Sequence, residues 1–354
     1  MLEEALGKST INTLISTAEH IGPFNVRSKI SFLMPQLCLS ELAPEPVDIL
    51  LLPSSLVPLN NSSYPRGFIL PSMDGKDRVK LFTKKDIRRS PLLMPAAAAS
   101  NDPCFNRLVQ VAPWLKEVFD SADCYPSYAH QLTACMERLV NRWTYSLPRT
   151  RVTITPSEII ERNILISLLG DRDPTLCSIL LDDDERHALY RELSHHSSGA
   201  MMDPSGAFLG YNHQGRLETL FERTKGWWEC SQSRFQIERT VLIEGLAKGL
   251  LWPKPLLSMI ILSYLPNIPV CGGIRQKAYY SWLLRSLNTI TGMKRCDSLN
   301  VHGYLRAEVN YESFRMWPGG GELPPYGTGL ALAVQPFSPE WALEQYGLHS
   351  HFSS

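Results

Sequence analysis

The pattern of apolar and polar positions along the chain predicts short strands alternating with helices. Short runs that are mostly apolar or that alternate with polar residues occur at Val47–Leu52, Gly67–Leu70 and Arg78–Phe82. They lie between proline, serine, glycine and asparagine residues, which is typical of short strands. Ile49–Leu52 has no polar position, so it indicates a strand buried on both faces, as in a parallel sheet covered by helices.

Longer amphipathic stretches predict helices between these strands. One helical stretch is expected from about Phe105 to Trp143, with a break at Pro113, and another from about Asp183 to Leu193. Residues 206–211 and 216–221 flank turn-forming residues and predict a β-hairpin.

The clearest helix start follows a predicted strand at Arg149–Thr155. Thr155 suits the N-cap, Pro156 suits the first helical position, and Glu158 completes a capping box. The apolar stripe of this helix is expected to face inward and to end near Gly170. The residues expected to pack inward are Ile160, Ile164 and Leu168.

The length and these elements predict two domains and an α/β fold. A chain of 354 residues usually forms about two domains. We place an N-terminal α/β part at 1–147 and a C-terminal α/β part at 148–354. The expected fold class is α/β: a Rossmann-like, mainly parallel or mixed sheet flanked by helices, with a smaller helical and β-hairpin subdomain.

The charge balance and the cysteines indicate a cytoplasmic protein. Thirty-five basic residues balance thirty-five acidic ones, so we expect no nucleic-acid partner. Eight cysteines are scattered without a C-x-x-C pair, which is typical of a reducing compartment. The acidic first residues do not resemble a signal peptide. The apolar window 256–265 ends at Pro266 and is roughly half a bilayer span, so no membrane partner is expected.

Several motifs that resemble functional sites are better explained structurally. Residues 7–10, Gly-Lys-Ser-Thr, lack the earlier glycine of a phosphate-binding loop. The acidic run Asp182–Glu185 could hold Mg²⁺, but an aspartate capping the next helix explains it better. His187, His195 and His196 lack zinc-site spacing. We therefore predict no metal site.

A strand–glycine–helix junction is the strongest candidate for a binding site. Val270-Cys271 runs into Gly272 and Gly273, and a helix is predicted to follow. Free backbone N–H groups at such a junction can bind an anion, and Arg275 and Gln276 could bind a carboxylate or phosphate. The alternative, weighted equally, is that the glycine pair only makes a tight turn and Arg275 is solvated.

The same segment resembles one in the bacillithiol-synthesis cysteine ligase family. The matching residues, in order and spacing, are Leu265, Pro266, Asn267, Gly272, Gly273, Ala278, Tyr279 and Tyr280. The preceding hairpin is also similar, so the resemblance covers about residues 203–290. Gln276 stands where the family has a glutamate. The resemblance implies a shared nucleotide-type core fold and, with it, ligase-like chemistry.

Two functional hypotheses follow. The first is a biosynthetic enzyme, resembling cysteine-adding ligases, that acts on a small amino- or carboxylate-bearing substrate. In it Gly272, Gly273 and Arg275 bind the anionic group, and Gln276 or Tyr279 orients the substrate. The alternative is a non-catalytic ligand- or partner-binding protein on a degenerate enzyme fold. The sequence identifies neither a catalytic residue nor a cofactor, and it leaves a homo-oligomer open.

Overall fold

The structure is a computed structural model that describes most of the chain. The described residues are 13–17, 46–59, 67–99, 103–196, 206–211, 216–263 and 270–271, with the single positions 33, 36, 37, 40, 41, 283, 286, 287, 322 and 330. Helices and strands both occur in them, and both parallel and antiparallel sheets are present, so the mixed α/β class is confirmed. The residues from 13 to 287 divide into two compact units between Pro156 and Ser157.

Within these residues the helices are α1 (Pro103–Val111), α2 (Trp114–Asp120), α3 (Tyr128–Trp143), α4 (Ser157–Gly170), α5 (Pro174–Leu181), α6 (Asp183–His196), α7 (Arg239–Ala247) and α8 (Pro255–Ser263). The strands are β1 (Thr13–Ser16), β2 (Asp48–Leu51), β3 (Gly67–Ile69), β4 (Arg78–Lys80), β5 (Arg151–Ile154), β6 (Phe208–Tyr211), β7 (Leu217–Thr219), β8 (Phe221–Thr224), β9 (Trp227–Glu229), β10 (Arg234–Gln236), β11 (Trp252–Pro253) and β12 (Val270–Cys271).

A small parallel sheet forms the centre of the N-terminal unit. Strand β2 lies between β1 and β5 and pairs in parallel with both. Ile49, Leu50 and Leu51 are fully buried, which confirms the strand predicted to be covered on both faces. Helix α3 contacts β5 and turns an apolar stripe inward, so it supplies part of that cover.

A β-hairpin and an aromatic cluster complete this unit. Strands β3 and β4 are those predicted from the sequence, and they pair antiparallel. Phe119 makes edge-to-face contacts with Phe68 and Phe105, at centroid distances of 5.9 and 5.4 Å. Such pairs add stability beyond the apolar area that they bury.

The helical stretch predicted from Phe105 to Trp143 is three helices rather than two. The predicted break at Pro113 is confirmed, because α1 ends at Val111 and α2 begins at Trp114. The second break, at residues 121–127, was not predicted. Pro126 lies in it, and the residue before a proline is disfavoured in the helical conformation.

Helix α4 begins the C-terminal unit and is its central helix. It starts at Ser157, one residue later than predicted, and it contacts α7, α8 and β11. Ile160, Ile164 and Leu168 are buried, as the apolar stripe predicts.

The hairpin and the second helix predicted for this region are also confirmed. Strands β6 and β7 pair antiparallel, with Leu209 opposite Thr219. Helix α6 begins at Asp183, as predicted, and continues three residues beyond Leu193. Helix α5 was not predicted. Its N-cap is Asp173, whose side chain accepts a hydrogen bond from the backbone N–H of Leu176.

Candidate functional site: a buried glutamate pair

The residues of the predicted junction lie outside the described part of the chain. They are Gly272, Gly273, Arg275, Gln276 and Tyr279. The strand predicted before them is confirmed as β12. Leu283 and Leu287, in the predicted following helix, are helical and buried. The binding role of the junction remains a prediction.

Among the described residues, the feature with the clearest chemical potential is a pair of buried glutamates at the start of α4. Glu158 and Glu161 are each 2% exposed. They are three residues apart, so their side chains project from the same side of the helix. Burying two carboxylates is costly unless they are neutralised or hydrogen-bonded, and glutamates are almost never fully buried without such partners.

Helix α8 supplies a hydroxyl partner for this pair. The Ser258 Oγ lies 2.5 Å from the Glu161 Oε2 and 3.2 Å from the Lys254 carbonyl oxygen. A hydroxyl has one proton to donate, so it can donate to only one of these oxygens. Both contacts are hydrogen bonds when Glu161 is protonated: its O–H donates to Ser258, and Ser258 donates to the Lys254 carbonyl.

The surroundings of Glu161 favour that protonated form. Burial, and next the nearby Glu158 carboxylate, raise the pKa of Glu161 to about 8, against the opposing effect of hydrogen bonds from Ser258 and Ser157. A carboxyl group with a pKa near 8 can both give and accept a proton close to neutral pH. A pKa raised in this way is one property that general acid–base residues share, which makes Glu161 a candidate for such a role.

Sequence reasoning found Glu158 only as a capping residue and did not single out Glu161. The signal was present in the sequence, because Glu161 lies four residues after Ser157 and four before Leu165. Those spacings place its carboxylate on the buried stripe of the helix.

A second cluster of charges, around Arg186, has a structural role. The Arg186 side chain is fully buried, and Nη1 donates to the Leu180 carbonyl. Its Nη2 donates to Asp183 at 2.6 Å and to Glu222 at 2.8 Å. His187 Nε2 also lies 2.9 Å from the same Glu222 oxygen. Protein carboxylates already neutralise this guanidinium, so the cluster ties α6 to β8 and leaves no free charge for a ligand.

The acidic run before α6 caps the helix, as expected. The Asp182 side chain accepts a hydrogen bond from the backbone N–H of Glu185 at 3.0 Å. Among the residues that the structure describes, no three His, Cys, Asp or Glu side chains are grouped to hold a metal ion. In the same residues, no helix is both long and apolar enough to cross a membrane.

A small apolar cavity lies elsewhere along α8, and its lining differs in character from the glutamate pair. The lining residues are Ile179, Leu180, Leu189, Tyr190, Ala207, Leu256, Leu257 and Ile260. Seven of these side chains are apolar, so the cavity suits an apolar group rather than a charged one. The glutamate pair is therefore the better candidate for proton chemistry.

Comparisons of the chain with protein-family models and with curated proteins found no match.

Proposed function

We propose that the protein is a biosynthetic enzyme that acts on a small amino- or carboxylate-bearing substrate, with Glu161 transferring a proton. The observation that carries this proposal is the buried Glu161 carboxyl group, whose pKa is raised to about 8 and which lies 2.5 Å from the Ser258 hydroxyl. Perturbed carboxylates of this kind are concentrated at functional sites.

The proposed chemistry uses the ionised form of Glu161, which is the minor form near neutral pH, as a base toward an amine. A substrate amino group is protonated at neutral pH and has to lose that proton before it can attack an acyl carbon. A carboxylate whose pKa is close to the working pH is matched to accept that proton and to release it afterwards. Burial, and next the Glu158 carboxylate, keep the pKa of Glu161 high.

The proposal places substrate binding at the predicted junction of a Rossmann-like core. The parallel pairing of β1, β2 and β5 supports a core of that type. Separately, the strand β12 supports the strand that the junction requires before Gly272. Ligands of open α/β sheets collect beyond the carboxyl ends of the strands. In this proposal Gly272 and Gly273 offer backbone N–H groups, and Arg275 pairs with the anionic group of the substrate. The resemblance to the cysteine ligases points to the same class of reaction.

A ligand screen followed by a turnover assay tests the proposal. Nucleotides with Mg²⁺ and single amino acids, including L-cysteine, are screened by thermal shift, since a ligand that binds the native state raises Tm. Mixtures of the ligands found are then incubated with the protein, and new products are sought by mass spectrometry. We expect Glu161→Gln to keep the thermal shift and to lose product formation. Glu244→Gln, at an exposed position on α7, is the matched control and should retain both.

Arg275→Ala tests the binding half separately. We expect this variant to fold and to lose the ligand-induced rise in Tm. If every nucleotide and amino acid shifts it as much as the wild type, the assignment of the junction is wrong. If product forms at the same rate with Glu161→Gln, Glu161 has no catalytic role.

The second candidate is a non-catalytic ligand- or partner-binding protein on a degenerate enzyme fold. The observation that favours it is Gln276, which stands where the similar ligases have a glutamate. A screen in which a ligand raises Tm but no mixture gives a product would favour this second candidate.

A further inference from the structure

Three arginine–tryptophan stacks occur among the described residues of the C-terminal unit. Each guanidinium carbon lies over an indole ring, at a distance from the ring centroid that allows a cation–π interaction. The pairs are Arg186 over Trp228 at 5.8 Å, Arg234 over Trp227 at 4.2 Å, and Arg162 over Trp252 at 5.3 Å.

The first two of these arginines are neutralised by protein carboxylates. Arg186 pairs with Asp183 and Glu222. The Arg234 Nε lies 3.0 Å from the Glu229 Oε1. Each guanidinium therefore has a counter-charge built into the fold.

Arg162 differs from both. Within the described part of the chain, its guanidinium forms no hydrogen bond and no ion pair, and its Nε is buried without a partner. The Trp252 side chain beneath it is also buried, and its indole Nε1 has no acceptor there. Two buried donors next to each other thus lack acceptors, which is unusual because most buried polar groups in folded proteins are hydrogen-bonded.

A glycine lies beside this guanidinium. Gly249 follows α7 with a φ of +66°, a left-handed conformation that favours glycine at the end of a helix. A Cβ at this position would lie 3.5 Å from the Trp252 ring and 3.8 Å from the Arg162 Nη1. The glycine therefore leaves room for about one carbon atom in ordinary contact with the Arg162–Trp252 stack, and Arg162 itself is partly exposed to solvent.

We propose that Arg162 and Trp252 form a binding site for the carboxylate group of a small ligand. The two oxygens of one carboxylate can accept from the guanidinium and the indole N–H together, because each hydrogen bond spans about 2.9 Å. A single guanidinium supplies one positive charge, which matches a carboxylate better than a phosphate dianion. The proposal goes beyond the proposed function, since it holds whether or not Glu161 transfers a proton.

Indole N–H resonances test the site directly. The protein has eight tryptophans, so tryptophan labelled with ¹⁵N gives a spectrum that can be resolved. Trp252→Phe and Trp227→Phe assign the two signals of interest. The labelled protein is titrated with sodium acetate, with sodium chloride at equal ionic strength, and with inorganic phosphate. We expect acetate to move the Trp252 signal downfield in a saturable way and to leave the Trp227 signal in place.

Variants then separate the guanidinium from general charge effects. We expect Arg162→Gln to weaken the acetate response of Trp252 by at least about tenfold, the effect of losing one hydrogen bond to a charged group. Arg234→Gln, at the stack that has its own carboxylate, should leave that response unchanged.

Three results would overturn the proposal. They are a Trp252 signal that does not respond to acetate, one that responds equally to chloride or phosphate, and an acetate response that survives in Arg162→Gln. The titration of the wild-type protein decides the first two even if the variant does not fold. The acetate titrations do not depend on turnover, so a negative result for this binding site is distinct from a negative result for the proposed enzyme activity.

Discussion

The buried Glu161 carboxyl group should make the stability of the protein fall as pH rises. Its pKa is about 8 in the folded chain and 4.5 in the reference state. Between these values the folded state holds a proton that the unfolded state has released, so the free energy of unfolding decreases with increasing pH. The contribution of Glu161 to the free energy of unfolding is constant below about pH 4.5 and declines by up to about 1.4 kcal/mol per pH unit between these two pKa values. Over the whole window the loss is of order 5 kcal/mol.

Glu161→Gln removes this ionisation while keeping the shape and hydrogen-bonding capacity of the side chain. The amide N–H₂ can donate to the Ser258 Oγ, as the protonated acid does. We therefore expect the variant to unfold at a nearly constant urea concentration from pH 5 to 8, whereas the wild-type midpoint falls. The measurement is urea unfolding followed by far-UV circular dichroism at one-unit pH steps.

The control for this experiment is Glu244→Gln, an exposed position on α7. Its pH profile should follow the wild type. Parallel wild-type and Glu161→Gln profiles would refute the argument, because they would mean that Glu161 titrates alike in the folded and unfolded chains.

Two further predictions concern stability. Arg186→Ala should lower the free energy of unfolding by about 3 kcal/mol in urea titrations, because it removes a fully buried side chain and leaves the largely buried Glu222 carboxylate without its guanidinium partner. Arg107→Ala, which removes an exposed pair, should change it little, and equal losses would contradict the structural role of Arg186. Gly67→Ala should cost about 1–3 kcal/mol, because φ is +152° and a Cβ would lie 2.2 Å from a backbone oxygen. Gly170→Ala meets open space and should not destabilise; a similar loss in both would refute this reading.

The elements that sequence reasoning found are those whose local signals agree with their packing. Strand β2 is uniformly apolar, and helix α4 has an apolar stripe preceded by a proline. In both, one pattern decides the conformation and the buried face. The break at residues 121–127 was missed although it contains Pro126, which disfavours the helical conformation in the residue before it. Helix α5 was missed because it is short and apolar, and periodicity alone does not separate such a run from a strand.

The candidate site was harder to predict than the fold. A glutamate in the first turn of a helix is usually a capping or dipole-stabilising residue, so Glu158 had an adequate local explanation. The raised pKa of Glu161 comes first from its burial, which arises only when α4 and α8 pack together and bring Ser258, 97 positions away, into contact with it. Arg162 was missed for a similar reason, because only the folded structure places it over Trp252 and buries its Nε without an acceptor.

The order of strands in the parallel sheet has a consequence for how the chain folds. Asp48 pairs with Thr13 on one side and with Arg151 on the other. The pairing of β1 with β2 closes a chain segment of about 35 residues, and the pairing of β2 with β5 closes one of about 103. The longer closure costs roughly 1 kcal/mol more chain entropy. During synthesis, the central strand is therefore made long before its second neighbour. Until residue 154 has left the ribosome, the apolar edge of β2 has no partner on that side and is open to aggregation or to a chaperone.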